Sequence, residues 1–287
     1  MKKTWMTAIL AGVMSISLLA CGNENGKETL QPAVQNAETQ ASEQQPAAEN
    51  DDLARILEAG VITIGTEGTW PPMTYHDDAG NLTGFDVEVA TALAEKLGVT
   101  AEFVETDWDS LIAGLAAGRF DIIVNEVAPT EERKKTYDFS DPYTYVYDVV
   151  ITKEDNNDIT KMEDLEGKKT SNTISSTHAQ LAENYGAEVI AVDTFEASIE
   201  MVLQGRADAT INSEMVFNDY ITQKPDSGLK IAAYNKEAIS TAVPVRKGQD
   251  NLREAVNKAL EELRNEGTLS EISMRYFGKD ITSAINE

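Results

Sequence analysis

The chain has 287 residues, 41% of them hydrophobic and 25% charged, an ordinary globular mixture long enough for one large domain or two lobes. Asp and Glu number 49 against 24 Lys and Arg, a net charge of −25, so a basic face for a phosphate backbone is lacking and nucleic-acid binding is excluded as a main activity. A single cysteine excludes an intrachain disulfide, and two histidines far apart in sequence argue against a zinc site, so no metal and no cofactor are expected.

Lys2 and Lys3 precede an apolar run over residues 5–20, shorter than the ~20 residues that span a bilayer, which reads as a secretory leader. The run ends in Leu18-Leu19-Ala20-Cys21, which resembles the lipobox of bacterial lipoproteins. The resemblance implies a signal peptide over 1–20, lipidation at Cys21 and an extracytoplasmic protein held to the cell membrane by its lipid. The alternative is an ordinary leader with a chance cysteine. Residues 21–50 are rich in Gln, Glu, Asn, Ala and Pro, with too little apolar surface to offset ordering entropy, and are expected to form a flexible tether.

The folded body is expected from residue 51. Asp86 is placed to cap a helix whose apolar residues Val89, Ala90, Leu93, Ala94 and Leu97 share one face, with Gly98 as its stop. A strand over 101–105, a helix carrying Leu111, Ile112, Leu115 and Ala116, and a continuous apolar strand over 120–124 complete a βαβ pattern, which points to a parallel sheet covered by helices. The pattern recurs: Gly118-Arg119-Phe120-Asp121 through Asn125 aligns with Gly205-Arg206-Ala207-Asp208 through Asn212, with Trp108 falling on Phe195. Two related α/β lobes are therefore expected, with the strand-end residues Asn125-Glu126 and Asn212-Ser213 on opposite walls of one cleft. Crossing segments are expected over 141–147 and 240–243, and a helix over 251–264 is expected to pack back on the first lobe. The resulting division is lobe 1 over 51–144 plus 242–287 and lobe 2 over 145–241.

Several motifs resemble those of the polar-amino-acid solute-binding proteins of ABC importers: Trp70-Pro71-Pro72-Met73-Thr74-Tyr75, Gly84-Phe85-Asp86-Val87, Glu131-Glu132-Arg133-Lys134-Lys135 and Asp138-Phe139-Ser140-Asp141-Pro142-Tyr143. Val245-Arg246-Lys247-Gly248 and Tyr276-Phe277-Gly278 extend the resemblance. Thr74-Tyr75-His76, residues 153–159 and Gln223-Lys224-Pro225 look most like the cystine-binding lipoproteins. The resemblance implies a two-lobed type II periplasmic-binding-protein-like fold with two crossovers and the ligand in the cleft. It also implies capture of cystine or another polar amino acid, and delivery to a permease and an ATPase that are separate chains. A monomer without catalytic activity is expected.

An amino acid's carboxylate suits the bidentate fork of an arginine, and the resemblance places Arg133 in that role, in a turn that opens a short helix at Thr130. Ser175 and Ser176 match paired hydroxyl residues at a helix start, while Trp70 and Trp108 match aromatic positions that flank the ligand side chain. Glu67 matches an acidic position near the ligand. Each has a plainer alternative: a solvated arginine in a charge run, an N-cap, a core tryptophan.

The pattern departs from the family at the strand ends. Ser213, followed by Glu214, stands where an aspartate usually meets the ligand's ammonium, and Ala128 stands where a hydroxyl usually helps hold the carboxylate. Glu126 adds a carboxyl where relatives are neutral, so Glu126 or Glu214 is expected to replace the missing counter-charge. Two other functions fit the residues less fully. One is a dehydratase acting on cyclic acids, with Glu126 as general acid, and the other is a ligand-sensing lipoprotein for a different solute.

Overall fold

The computed structural model describes residues 51–284; the expected leader, Cys21 and the expected tether lie outside the described residues. In chain order the first part contains α1 (Asp52–Ala59), β1 (Val61–Thr66), β2 (Tyr75–His76), β3 (Leu82–Thr83), α2 (Phe85–Leu97), β4 (Thr100–Glu105), α3 (Trp108–Ala116) and β5 (Ile122–Ile123). Next come α4 (Arg133–Thr136), β6 (Tyr137–Phe139), β7 (Thr144–Val146) and β8 (Asp148–Lys153). The second part contains β9 (Lys169–Asn172), α5 (Thr177–Asn184), β10 (Glu188–Ala191), α6 (Phe195–Leu203), β11 (Thr210–Ser213), α7 (Glu214–Gln223) and β12 (Leu229–Tyr234). The chain returns through β13 (Ile239–Thr241) and β14 (Pro244–Arg246) to α8 (Asp250–Asn265) and α9 (Thr268–Phe277).

These strands make two main sheets. The larger has the order β4-β1-β5-β14-β6, with β1 parallel to both β4 and β5, and β14 antiparallel to its neighbours. The smaller joins β11, β8 and β12 in antiparallel pairs, and a parallel Thr170–Ala209 bridge ties the β9-β10 pair to its edge. A separate pair, β7 and β13, runs antiparallel with Tyr145 opposite Ser240. The fold is that of a two-lobed, type II periplasmic binding protein.

The helix expected over 251–264 forms as α8 and buries Leu252, Val256, Ala259, Leu260 and Leu263 in a core shared with Leu93 of α2 and Ile64 of β1. On the other face of the sheet, Gly65 lets α3 approach β1: a methyl group there would lie 2.7 Å from the Phe120 ring and 2.8 Å from Leu111. That close packing fixes α3, whose first residue is Trp108.

Three local expectations are corrected. Asp86 is not the cap of α2; Gly84 is, with φ of 129°, because a Cβ there would lie 2.3 Å from the Met73 carbonyl oxygen. Asp86 instead sits fully buried in the first turn and accepts a hydrogen bond from the Tyr143 hydroxyl at 2.8 Å. The strand expected over 120–124 pairs regularly only at Ile122–Ile123, although the Asp121 and Val124 N–H groups still donate to Thr63 and Gly65. The short helix starts at Arg133 rather than Thr130, and the Thr130 hydroxyl accepts from the Arg133 N–H at 3.2 Å at that start.

Candidate functional site

The strand ends and helix starts of the two sheets converge on one cavity that is partly open to solvent. The sequence repeat explains its symmetry. Trp108 and Phe195 open α3 and α6, capped by Asp107 and Thr194, and both line the cavity from opposite walls. Asn125 and Asn212 do the same at the ends of the repeated strands.

On the first wall Asn125 is locked by β1. Its Oδ1 accepts from the Glu67 N–H at 2.9 Å and from the Thr66 hydroxyl at 3.1 Å, while its Nδ2 donates to Glu67 Oε2 at 2.8 Å. Burial raises the pKa of Glu67 to about 7 against the lowering effect of that amide bond, and the charges of Asp107 and Glu196 push the same way as burial. Glu126 follows Asn125 and accepts from the Thr144 hydroxyl at 3.0 Å. Its pKa rises to about 8, first through burial and then through the charge of Asp86, which favours the protonated carboxyl.

On the second wall Ser176 caps α5, accepting from the Ala179 N–H at 3.1 Å, and Ser213 caps α7, accepting from the Met215 N–H at 3.3 Å. Both serines line the cavity, so the capping role and the cavity position coincide. His178 in α5 lies 3.2 Å from Asp148, the first residue of β8.

Of the residues singled out in the sequence, Glu67, Trp70, Trp108, Asn125, Glu126, Ala128, Ser176 and Ser213 line the cavity. Arg133 and Ser175 stand against the lining rather than in it. The guanidinium lies 5.1 Å over the Trp108 ring, donating to the Ala128 carbonyl at 3.0 Å and to the Ser175 carbonyl at 3.2 Å. The Ser175 hydroxyl in turn donates to Asp109 on the opposite wall. Burial lowers the Arg133 pKa to about 10, and no carboxylate pairs with it among the described residues. Glu214 turns away from the cavity to Lys279 at 2.8 Å, so in this structure Glu126, not Glu214, is the acid at the expected place.

Sequence reasoning missed Asp148, Asn172, His178 and Asp193 in the lining. Asp148 follows directly on the aromatic crossing segment, and His178 falls two residues past the paired serines. Those are the signals that point to them, but each is a single polar residue in an unremarkable context. The cavity is thus lined by the carboxyl groups of Glu67, Glu126, Asp148 and Asp193 and, among the described residues, by no lysine or arginine, a setting whose acceptor oxygens suit a ligand bearing N–H donors such as an ammonium group.

Residues 62–279 match the family model of bacterial extracellular solute-binding proteins, family 3. L-cystine-binding protein TcyA of Bacillus subtilis is 40% identical over 283 residues, covering 98% of this chain and all of that one. An ancestral arginine-binding protein bound to glutamine superimposes with a TM-score of 0.73 at 38% identity, covering 77% of this chain and 99% of the other. The L-cystine solute receptor of Neisseria gonorrhoeae in its unliganded open conformation is 41% identical over 80% of this chain and 99% of its own, yet reaches only 0.57. On the matched span, the two-lobed architecture and the cavity between the lobes, this chain belongs to the bacterial extracellular solute-binding proteins, family 3.

Proposed function

We propose that this chain is the solute-binding component of an amino-acid ABC importer, which captures its ligand by closing two lobes and hands it to a permease whose membrane and ATPase subunits are separate chains. One observation carries the reading: a desolvated guanidinium without a carboxylate partner, Arg133, beside a cavity lined by acids. Such a pairing complements a zwitterion, carboxylate toward Arg133 and ammonium toward the acids. The moving units are residues 51–144 with 242–287, and residues 145–241. The TcyA relative and the gonococcal receptor favour cystine among amino acids. Membership of a solute-binding family supports a binding rather than a catalytic role for Glu126. Among the described residues no helix is long and apolar enough to cross a membrane, and attachment through a lipidated Cys21 would hold a monomer at the membrane surface.

Two measurements test this. Thermal unfolding of the mature chain against L-cystine, other polar amino acids and simple carboxylates should show one amino acid adding about 2.7 kcal/mol at ~100 times its dissociation constant. Arg133→Ala should lose about 2–5 kcal/mol of that ligand's binding energy. Wild-type affinity in this variant, or a response to carboxylates alone, contradicts the reading. For the anchor, mass spectrometry of the protein from cells should find a chain starting at a diacylated Cys21, and a mature chain starting elsewhere rules it out.

A further inference from the structure

Among the described residues, five buried side-chain polar atoms have no hydrogen-bond partner, and three of them belong to residues that line the cavity: Trp108 Nε1, Asp148 Oδ2 and Asn172 Oδ1. Buried polar groups in folded proteins are nearly always satisfied, so unpaired ones at a cavity mark where a bound molecule supplies the missing group. One of the three is a donor and two are acceptors. The ligand must therefore bring an acceptor to Trp108, whose ring already lies under the Arg133 guanidinium, and donors to Asp148 and Asn172. The Asn172 amide is oriented by its own bond, Nδ2 donating to the Ile211 carbonyl at 2.8 Å, which leaves its oxygen as the open atom.

Asp148 is the charged member of this set. Its side chain is 2% exposed, its Oδ1 lies 3.2 Å from His178 Nε2, and its Oδ2 is the free atom. Glu126 lines the same cavity from the facing wall, close enough for the Asp148 carboxylate to favour its protonated form. In the β8–β11 ladder Asp148 lies directly opposite Ser213, so its carboxylate stands at the same sheet end as the start of α7.

We propose that Asp148 is the seat of the ligand's ammonium group, a specificity-determining residue whose Oδ2 accepts from the ammonium while His178 fixes the carboxylate through Oδ1. Glu126 and Asn172 supply further acceptors around it. This assignment rests on the amino-acid reading above and sharpens it: the ligand is chosen for its ammonium as much as for its carboxylate, and the group that reads it lies at the crossing between the lobes. It also supplies the counter-charge that Ser213 lacks, one strand away across the ladder.

Isothermal titration of the mature protein with pairs of ligands that differ only in amino groups tests it: L-cystine and 3,3′-dithiodipropionate, L-glutamine and glutaramate, L-arginine and 5-guanidinopentanoate. The wild type should prefer the amino acid of one pair over its des-amino partner by at least about 100-fold. Asp148→Asn should narrow that preference to less than about tenfold by weakening the amino acid alone. A residue that only supports the fold would weaken both members of the pair equally, so an unchanged ratio overturns the proposal. Asp148→Ser carries the same expectation should the asparagine variant fail to fold, and the unliganded melting of each variant checks that. A wild type that binds no amino acid overturns the parent reading, whereas one that binds both members of a pair equally overturns this inference alone.

Discussion

Glu126 combines two features that proteins normally avoid: a left-handed backbone, with φ of 46°, and a buried carboxyl group. Neighbouring bonds hold both in place. Its N–H donates to the Tyr143 hydroxyl at 3.0 Å, Tyr143 donates to Asp86, and the Thr144 hydroxyl donates to its Oε1. Non-glycine residues kept in such a conformation cost about 1–3 kcal/mol and cluster at functional sites. Protonation lets the carboxyl stay buried, and this gives the unliganded protein a pH-dependent stability. The folded-state pKa of about 8 lies above an ordinary glutamate value of 4.5, so the folded state holds a proton that the unfolded chain releases. This stabilisation is complete below the unfolded value and is lost as pH rises through about 8. Glu126→Gln removes the titration, and the slope of unfolding free energy against pH should become shallower by up to ~1.4 kcal/mol per unit between about pH 5 and 8. Glu67 and Asp86, also raised by burial, leave a residual slope of the same sign. Denaturant unfolding of both proteins across that range is the measurement, and parallel slopes would show that Glu126 is ionised throughout.

Among the elements, what was legible in the sequence followed from periodicity and repetition. The apolar face of α8, the βαβ order of the first sheet and the doubled Gly-Arg-x-Asp unit all fold as patterned. The repeated aspartates show why that unit recurs. Asp121 Oδ2 accepts from the Thr63 N–H at 2.9 Å, and Asp208 Oδ2 accepts from the Lys169 N–H at 2.8 Å, so each fastens a strand to its neighbour and aims the strand end at the cavity. The first is embedded with Arg55 and Arg246 and the second is exposed, which makes one motif a buried ionic cluster and the other a surface bond. The misread features depend on contacts that no periodicity shows. Gly84 caps α2 because the Met73 carbonyl crowds it, and the Thr130 hydroxyl bonds the Arg133 N–H at the start of α4. Site residues divide the same way. Of the cavity-lining residues, Asn125, Glu126 and Ser213 were singled out because strand ends of parallel units point at clefts, and Trp70, Trp108 and Ser176 through the family resemblance. Asp148, Asn172 and His178 belong to no local pattern; tertiary packing alone makes them neighbours.

At the scale of the molecule, the two lobes touch across the cleft mouth through few polar contacts. Arg133 donates to the Ser175 carbonyl across the cavity, and the Ser175 hydroxyl donates back to Asp109 in α3. Both Ser175 and Asp109 are exposed, so solvent competes for this latch and it can bias the open–closed balance only modestly. A ligand bridging Arg133 and the acids adds contacts made in the closed form alone, and such differential binding is what drives closure. Asp109→Ala should therefore shift the unliganded protein toward the open form, raising its radius of gyration in small-angle X-ray scattering. Saturating ligand should restore the wild-type value. Affinity should fall by no more than about fivefold, because one exposed charge-assisted hydrogen bond is worth about 1 kcal/mol and apparent affinity scales with the population of the competent state. Identical scattering of the two unliganded proteins would mean that the latch forms without holding the lobes together. A loss of affinity far beyond fivefold would place Asp109 in the ligand's own contacts rather than in the latch.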